Sequence, residues 1–194
     1  MWVTPFTLEG KFLRLEPFSY DYIPAFQQHY SPDLYQYVSS HPKSASDEDM
    51  RVYFKKLIED ETRSSCVIVM PDGQIAGRTG YLDIRERHKT LEIGTVIFKE
   101  FHGTKVNPES KYLLFKHAFE TLEAVRVQFK TDARNVQSQR AIEKLGAVKE
   151  GILRNYQTRA DGYVRDTVMY SVIDKEWPSV KERLEARLYS SLNP

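Results

Sequence analysis

The turn from Phe101 to Glu109 has the residue types best suited to bind an anion. It joins an extended apolar run, Leu91 to Phe98, to a strongly helical stretch. Asn107 suits the N-cap of that helix and Pro108 suits its first position, so we predict that the helix begins there. The first N–H groups of a helix lack internal partners and lie at its positive end, which favours a bound phosphate. An ordinary strand-to-helix connection explains the same pattern equally well.

A second site of possible chemistry follows the next extended run. Val125 to Lys130 predicts a strand, Thr131 to Asn135 interrupts it, and Gly146 ends the short helix that comes next. Ser138 falls on the apolar face of this helix and offers a hydroxyl to a ligand. Serine near a helix start also commonly caps a local N–H group, so both interpretations stay open. The other positions of that face are Ala141, Ile142 and Leu145.

Together these segments resemble the GNAT superfamily of N-acetyltransferases, which transfer acetyl from acetyl-coenzyme A to an amine. Residues 102–109, 132–135, 138 and 141–147 carry the resemblance, which covers roughly residues 10 to 175. It is strongest to the branch that includes the bacterial ribosomal-protein N-terminal acetyltransferases. The resemblance implies an α/β (mixed α+β) GNAT fold, with a central, mixed, mostly antiparallel twisted sheet and helices on both faces.

The resemblance also implies site residues. The turn would bind the pyrophosphate of acetyl-CoA, which is the implied co-substrate, and no metal is implied. Asn135 would bind the pantetheine arm, with capping of the following helix as its alternative role, and Ser138 would contact the sulfur of the coenzyme. The implied pyrophosphate-binding residues are His102, Gly103, Thr104, Lys105, Val106 and Asn107.

Two features depart from the family pattern. The family's pyrophosphate loop usually reads Gln/Arg-x-x-Gly-x-Gly/Ala, whereas His102, Lys105 and Asn107 occupy those positions here. Glycine eases the approach of backbone to phosphate, and a lysine ammonium compensates in part. Ile142 takes the place of a tyrosine that serves many members as general acid. Because a thiol has a pKa near ~8.5, coenzyme A leaves near neutral pH without that acid.

Glu92 is the candidate general base. The attacking amine must be neutral, and a carboxylate that takes its proton directly or through water suffices. In the resembled fold the Leu91–Phe98 strand borders the thioester. One of its N–H groups, beside a bulge that splays it from the Val125 strand, stabilises the oxyanion. On an alternating strand Glu92 is almost equally well explained as a solvent-facing charge.

We therefore predict an N-acetyltransferase in which a primary amine attacks acetyl-CoA directly in a ternary complex. The amine belongs to a protein N-terminus or to a small molecule. A catalytically inactive acyl-CoA-binding regulator of the same fold is the alternative, because Lys105 and Ile142 depart from the family pattern. A nucleotide-binding turn is disfavoured, since the Gly-x-x-x-x-Gly-Lys-Ser/Thr pattern is absent.

Local patterns predict the elements that position these residues. Hairpin turns are expected at Pro71–Gly73 and Ala160–Gly162, and the helix-separated strands at Leu91 and Val125 are expected to pair in parallel. Further elements are a strand at Lys11–Glu16, a helix begun by Ser46 with an apolar stripe of Met50, Phe54, Leu57 and Ile58, and an amphipathic helix after Trp177. We expect one acetyltransferase domain over residues 1–194, with a core at about 10–175 and a C-terminal helix at about 176–191.

The composition of the chain restricts which classes of binding partner and which cellular compartment we expect. With 194 residues and a net charge of +1, the chain lacks the basic excess of nucleic-acid-binding domains, and Arg126, Lys130 and Arg134 are interpreted as solvated or coenzyme-contacting. No leader pattern or long apolar run is present, so no membrane contact is expected. Cys66 is the single cysteine and suits a buried position in a reducing, cytoplasmic protein. The histidines lack metal-ligand spacing, and a homodimer through the last helix is left open.

Overall fold

One sheet of eight strands organises the computed structural model, which describes residues 2–159 and 161–190. Its strand order is β1-β2-β3-β4-β5-β6-β8-β7, and every neighbouring pair is antiparallel except β5 with β6. The predicted parallel pairing is therefore confirmed. The strands are β1 Leu8–Glu9, β2 Arg14–Pro17, β3 Ser64–Val69, β4 Ile75–Arg85, β5 Thr90–Ile97, β6 Arg126–Asp132, β7 Val148–Thr158 and β8 Val164–Ile173.

Helices cover both faces of this sheet, so the predicted fold class is confirmed. One core cluster joins α1 and α2 to one face and includes Phe26, Phe54 and Val67. The second cluster joins α3, α4 and α5 to the other face and includes Phe115 and Leu184. In the described ranges the α-helices are α1 Ile23–Gln28, α2 Asp47–Glu59, α3 Val106–Lys116, α4 Val136–Glu143 and α5 Trp177–Tyr189.

Several local predictions hold at residue level. Ser46 caps α2 by accepting the N–H of Asp49 at 3.2 Å. The β3–β4 turn contains Pro71–Gly73, as expected, and the β7–β8 hairpin also forms. Of the second predicted turn, Ala160 lies outside the described residues.

Two predicted details are wrong. Ile58 is 39% exposed, and Tyr53, 2% exposed, fills the buried stripe of α2 in its place. The predicted strand at Lys11–Glu16 begins only at Arg14, because the N–H groups of Lys11 and Phe12 donate at 2.8 Å to the buried Glu109 carboxylate instead of to a neighbouring strand.

The C-terminal helix α5 packs against α3 within the same chain. Trp177 and Leu184 are buried in the core cluster of that face, and Tyr112 Oη donates to Glu185 at 2.6 Å. The helix extends to Tyr189, and residue 191 of the predicted span lies outside the described residues. Burial of these side chains gives α5 the same core as α3.

Candidate functional site

The turn before α3 contains a glycine in the left-handed conformation and leads directly into the helix. Gly103 has φ +75°, a conformation that is strained for residues with a side chain. The helix begins at Val106, so the predicted N-cap at Asn107 is wrong. Thr104 Oγ1 instead accepts the N–H of Val106 at 3.2 Å, while the Asn107 side chain is occupied by Lys111.

Several amides of this turn have no internal partner. Within the described residues, hydrogen bonds account for the N–H groups of His102 and Val106, but not for those of Gly103, Thr104 and Lys105. These groups lie at the positive end of an eleven-residue helix. The turn therefore fits a phosphate through its backbone, despite its departures from the family's glycine pattern.

The side chains of Lys105 and His102, which we expect to bind the phosphate, contact other parts of the protein. The Lys105 ammonium donates to the carbonyl oxygen of Leu188 at 2.8 Å and lies 4.3 Å from the centre of the Phe12 ring. The Lys105 ammonium therefore does not compensate for the missing glycine in this structure. The His102 Nε2 atom is 2.9 Å from the carbonyl oxygen of Ile97, which holds the imidazole against the end of β5.

Next to this turn the sheet opens. β5 and β6 pair over only three residue pairs, the last being Glu92 with Gln128. The predicted bulge lies on the other side of β5: β4 has one extra residue between Leu82 and Arg85, where Asp83 has φ +47°. β5 therefore separates from β6 as predicted, but the bulge lies between β4 and β5.

Free backbone donors line the opened side of β5. The N–H of Phe98 donates to the carbonyl oxygen of Ala76 in β4 at 2.9 Å. Since N–H groups alternate in direction along a strand, the N–H of Val96 also points to β4. The N–H groups of Thr95 and Ile97 then point away from β4, into the gap beyond the last β5–β6 pair.

Glu92 is buried at the start of this gap, with 8% of its surface exposed. Its Oε2 atom lies 2.9 Å from the Lys130 ammonium of β6. Burial raises the pKa of Glu92, and the hydrogen bond from Lys130 offsets this only in part. Burial alone lowers the pKa of Lys130, but the hydrogen bond and charge of Glu92 raise it to about 12. Glu92 is therefore a buried carboxylate, and its interpretation as a solvent-facing charge is wrong.

On the other flank of the gap, Asn135 and Ser138 form the start of α4. The Asn135 side chain caps the helix by accepting the N–H of Ser138 at 3.0 Å. The Ser138 hydroxyl is half-buried and makes no hydrogen bond among the described residues. Ile142 is buried in the core at 7% exposure, so α4 brings no proton donor at that position.

The sequence reasoning missed Lys111. Its side chain is fully buried in α3, where the ammonium donates to Thr95 Oγ1 at 2.6 Å and to Asn107 Oδ1 at 3.1 Å. Burial lowers the pKa of Lys111 to about 7. The spacing of Asn107 and Lys111, four residues apart on a helix, is the sequence signal that identifies such a pair.

The segment 36–39 packs against the β7–β8 hairpin. Ser39 Oγ donates to Gln157 Oε1 at 2.9 Å, and Arg159 donates to the carbonyl oxygen of Gln36. Of the aromatic residues before this segment, Phe26 and Tyr35 pack in the core at no more than 2% exposure, while Tyr22 and Tyr30 are half-buried.

Other chemistries find little support in the described ranges. Cys66 is buried, and burial raises the pKa of its thiol to about 12, which leaves no reactive thiolate near neutral pH. Residues 2–159 and 161–190 contain no group of three or more His, Cys, Asp or Glu side chains placed to hold a metal ion. In the same ranges every helix is too short or too polar to cross a bilayer.

Comparison with known proteins gives a consistent result. The family described as "Acetyltransferase (GNAT) domain" matches residues 13–148. A solved candidate acetyltransferase from T. thermophilus is 46% identical, with 97% of this chain and 100% of that chain covered and a TM-score of 0.93. The uncharacterised N-acetyltransferase p20 of Bacillus licheniformis is 26% identical over 62% of this chain and 67% of its own length.

The likeness in fold reaches further than the likeness in sequence. Mycobacterium smegmatis RimJ, solved in complex with CoA-disulfide, is 18% identical, covers 94% of this chain and 95% of its own, and has a TM-score of 0.79. At that identity the comparison concerns the fold, and the bound CoA-disulfide is a property of RimJ.

Proposed function

The chain belongs to the GNAT acetyltransferase family, and on that premise we propose that it transfers the acetyl group of acetyl-CoA to a primary amine. The amine attacks the thioester directly while both substrates are bound. The observation that carries this proposal is the buried Glu92 at the point where β5 and β6 separate.

Acetyl-CoA supplies an activated acetyl group, and its pyrophosphate would accept from the amides of Gly103, Thr104 and Lys105, which have no partner among the described residues. The N–H groups of Thr95 and Ile97 would stabilise negative charge on the acetyl carbonyl oxygen. Glu92 takes the proton of the incoming ammonium, directly or through water, and its burial makes it a stronger base than an exposed glutamate.

The helix α4 contributes to departure of the coenzyme A thiolate. The hydroxyl of Ser138 is free to contact the sulfur of the coenzyme, while Asn135 reaches the pantetheine arm only if it also keeps its cap on the helix. Ile142 cannot supply the proton that the tyrosine of many family members supplies. A free thiol has a pKa near ~8.5, so departure as thiolate remains feasible.

Two acceptor classes are consistent with the family. The resemblance to ribosomal-protein acetyltransferases favours a protein N-terminus, whose α-amino pKa of about 7.7–8.0 demands little of the base. A small-molecule amine is the other class.

Release of free thiol from acetyl-CoA, measured over a panel of peptides and small amines, tests the proposal. Calorimetry with acetyl-CoA, and with ATP as the comparison ligand, is carried out in parallel. Binding of acetyl-CoA with thiol release supports an N-acetyltransferase. Binding without turnover on any amine favours the acyl-CoA-binding regulator, and no binding overturns both.

A further inference from the structure

Arg165 of β8 is a buried cation without a counter-ion among the residues that the structure describes. It is 6% exposed, and its one hydrogen-bond acceptor there is Ser39 Oγ, 3.1 Å from Nη1. The Nε atom is buried, and no described atom accepts a hydrogen bond from it. No carboxylate of the described chain lies within 4.0 Å of the guanidinium, since none of the ion pairs includes it.

The nearest acid is already engaged. Asp132, 1% exposed, accepts the backbone N–H of Arg134 at 2.9 Å and forms an ion pair with the guanidinium of Arg134 at 3.1 Å. Burial lowers the pKa of Arg165, and the charges of Asp132 and Glu92 oppose this only in part. A buried charge is costly unless it is paired, so this guanidinium is suited to an anion from outside the chain.

Strand register places Arg165 on the same side of the sheet as Glu92. Glu92 pairs with Gln128, Asp132 pairs with Thr167, and side chains alternate in direction along each strand. Gln128 and Asp132 therefore share a face, and Thr167 and Arg165 continue it. The Thr167 hydroxyl is also buried and has no hydrogen-bond partner in residues 2–159 and 161–190. Two unsatisfied polar groups thus lie side by side on the face that presents the candidate base.

The segment 36–39 fixes the guanidinium there. Ser39 contacts both Arg165 and Gln157, and Arg159 holds the carbonyl of Gln36. Arg165 is thus held between β8 and this segment, with its Nε atom unpaired among the described residues. A planar guanidinium edge matches a carboxylate better than a point charge does.

We propose that Arg165 binds a carboxylate of the acceptor, so that the preferred acceptor is a molecule with both a primary amine and a carboxylate. This inference rests on the proposed acetyl transfer. A single guanidinium matches the single charge of a carboxylate. The carboxylate belongs either to a small amino acid or to an acidic residue next to a peptide N-terminus.

Pairs of acceptors that differ only in this group distinguish the two sources. The small-molecule pairs are β-alanine with β-alaninamide and 4-aminobutyrate with its amide. The peptide pair is Ala-Asp and Ala-Asn, both with an amidated C-terminus. For the native protein we expect kcat/KM to be about 10- to 100-fold higher for the acid in at least one arm, the range for a hydrogen bond to a charged group.

Variants assign that preference to Arg165. Arg165→Met should remove the preference mainly through the KM of the acid, leaving the amide rate and the KM of acetyl-CoA unchanged. Arg165→Lys should retain part of it. Arg154→Met, which removes an exposed arginine of the neighbouring strand β7, is the matched control and should keep the full preference.

The possible outcomes test the carboxylate site and the proposed acetyl transfer separately. Equal rates for acid and amide with the native protein overturn the role of Arg165 while leaving acetyl transfer intact, and this result does not require any variant to fold. A raised KM for acetyl-CoA in Arg165→Met also overturns it. If no amine in the panel is acetylated, the proposed function fails; the same pairs are then compared by thermal stabilisation of the protein with CoA, and equal stabilisation overturns the carboxylate site independently.

Discussion

Glu92, Lys111 and Arg165 are buried ionisable side chains that differ in how their charge is compensated. Among the described residues, Glu92 has a partner in Lys130, Lys111 donates to neutral oxygens, and Arg165 donates to a single hydroxyl. Lys111 contacts Thr95 of β5, and Arg165 lies on the face of the sheet that presents Glu92. Their environments make charge at these positions sensitive to pH and to ligands.

Substitution of Glu92 with Gln tests the base. The amide keeps the size of the side chain but accepts no proton, so we expect kcat to fall about 10²–10⁴-fold. The native pH–rate profile should rise above the usual glutamate range, because burial raises the pKa of Glu92, and the variant should lose that rise. Initial rates from pH 5 to 9 measure both effects. Glu123→Gln, at an exposed carboxylate paired with Lys89, is the control. Full activity with an unchanged profile would exclude Glu92.

Lys111 makes stability depend on pH. Its pKa is about 7 in the folded chain and 10.5 in the unfolded one, so the unfolded state binds more protons between these values. The cost of burying the ammonium is therefore present below pH 7 and disappears as the pH rises toward 10.5. Relative to Lys111→Met, the native protein should gain stability from pH 6 to 9, by up to about 1.4 kcal/mol per pH unit.

Urea unfolding of both proteins at several pH values measures this difference. Lys116→Met, at an exposed lysine of the same helix, should show no such trend. A difference between native and Lys111→Met that stays constant with pH contradicts a lowered pKa of Lys111.

At the scale of elements, the turn before α3 combines a left-handed glycine with unpaired amides. The sequence predicts the type and order of almost every element, because hydrophobic periodicity and turn residues are local signals. It places the start of α3 two residues too late, at Pro108 instead of Val106, because the Asn107 side chain accepts from Lys111 instead of capping the helix. Lys111 also donates to Thr95 of β5, so this contact forms only when the helix packs against that strand.

Gly103→Ala tests whether the turn before α3 binds the phosphate of acetyl-CoA. An alanine at φ +75° costs about 1–2 kcal/mol, and relief of the strain turns the neighbouring amides away. We expect the KM of acetyl-CoA to rise about tenfold, equivalent to about 1.4 kcal/mol. Gly73→Ala, in the β3–β4 turn at φ +87° and equally free of close neighbours, should lose similar stability without a change in KM. A KM unchanged by Gly103→Ala would argue against phosphate binding there.

At the scale of the whole molecule, the sheet and its two helical layers share one architecture with the family. That architecture is predictable from sequence, but the buried placement of Glu92 and Arg165 is not. Both lie in strands of mixed polarity, and only the pairing of β5, β6 and β8 shows which side of the sheet is covered. The single domain, a cytoplasmic location and a homodimer stay predictions.

Leu184→Ala tests whether α5 belongs to the same folding unit. Leu184 is 1% exposed in the core shared with α3, so its truncation should cost about 2–5 kcal/mol. If the chain is one domain, circular dichroism and tryptophan fluorescence should follow a single shifted transition. Val52→Ala, at a residue 53% exposed, should change stability by less than about 0.5 kcal/mol. Two separate transitions would indicate that α5 unfolds on its own.

The early end of the β5–β6 ladder has a consequence for selectivity. Thr95 and Ile97 have amide donors that a neighbouring strand would normally pair, and in the proposed reaction these donors hold an oxygen of the substrate whatever side chains surround it. A change of acceptor would therefore require different side chains only in the segment 36–39 and the β7–β8 hairpin, while the backbone donors stay intact.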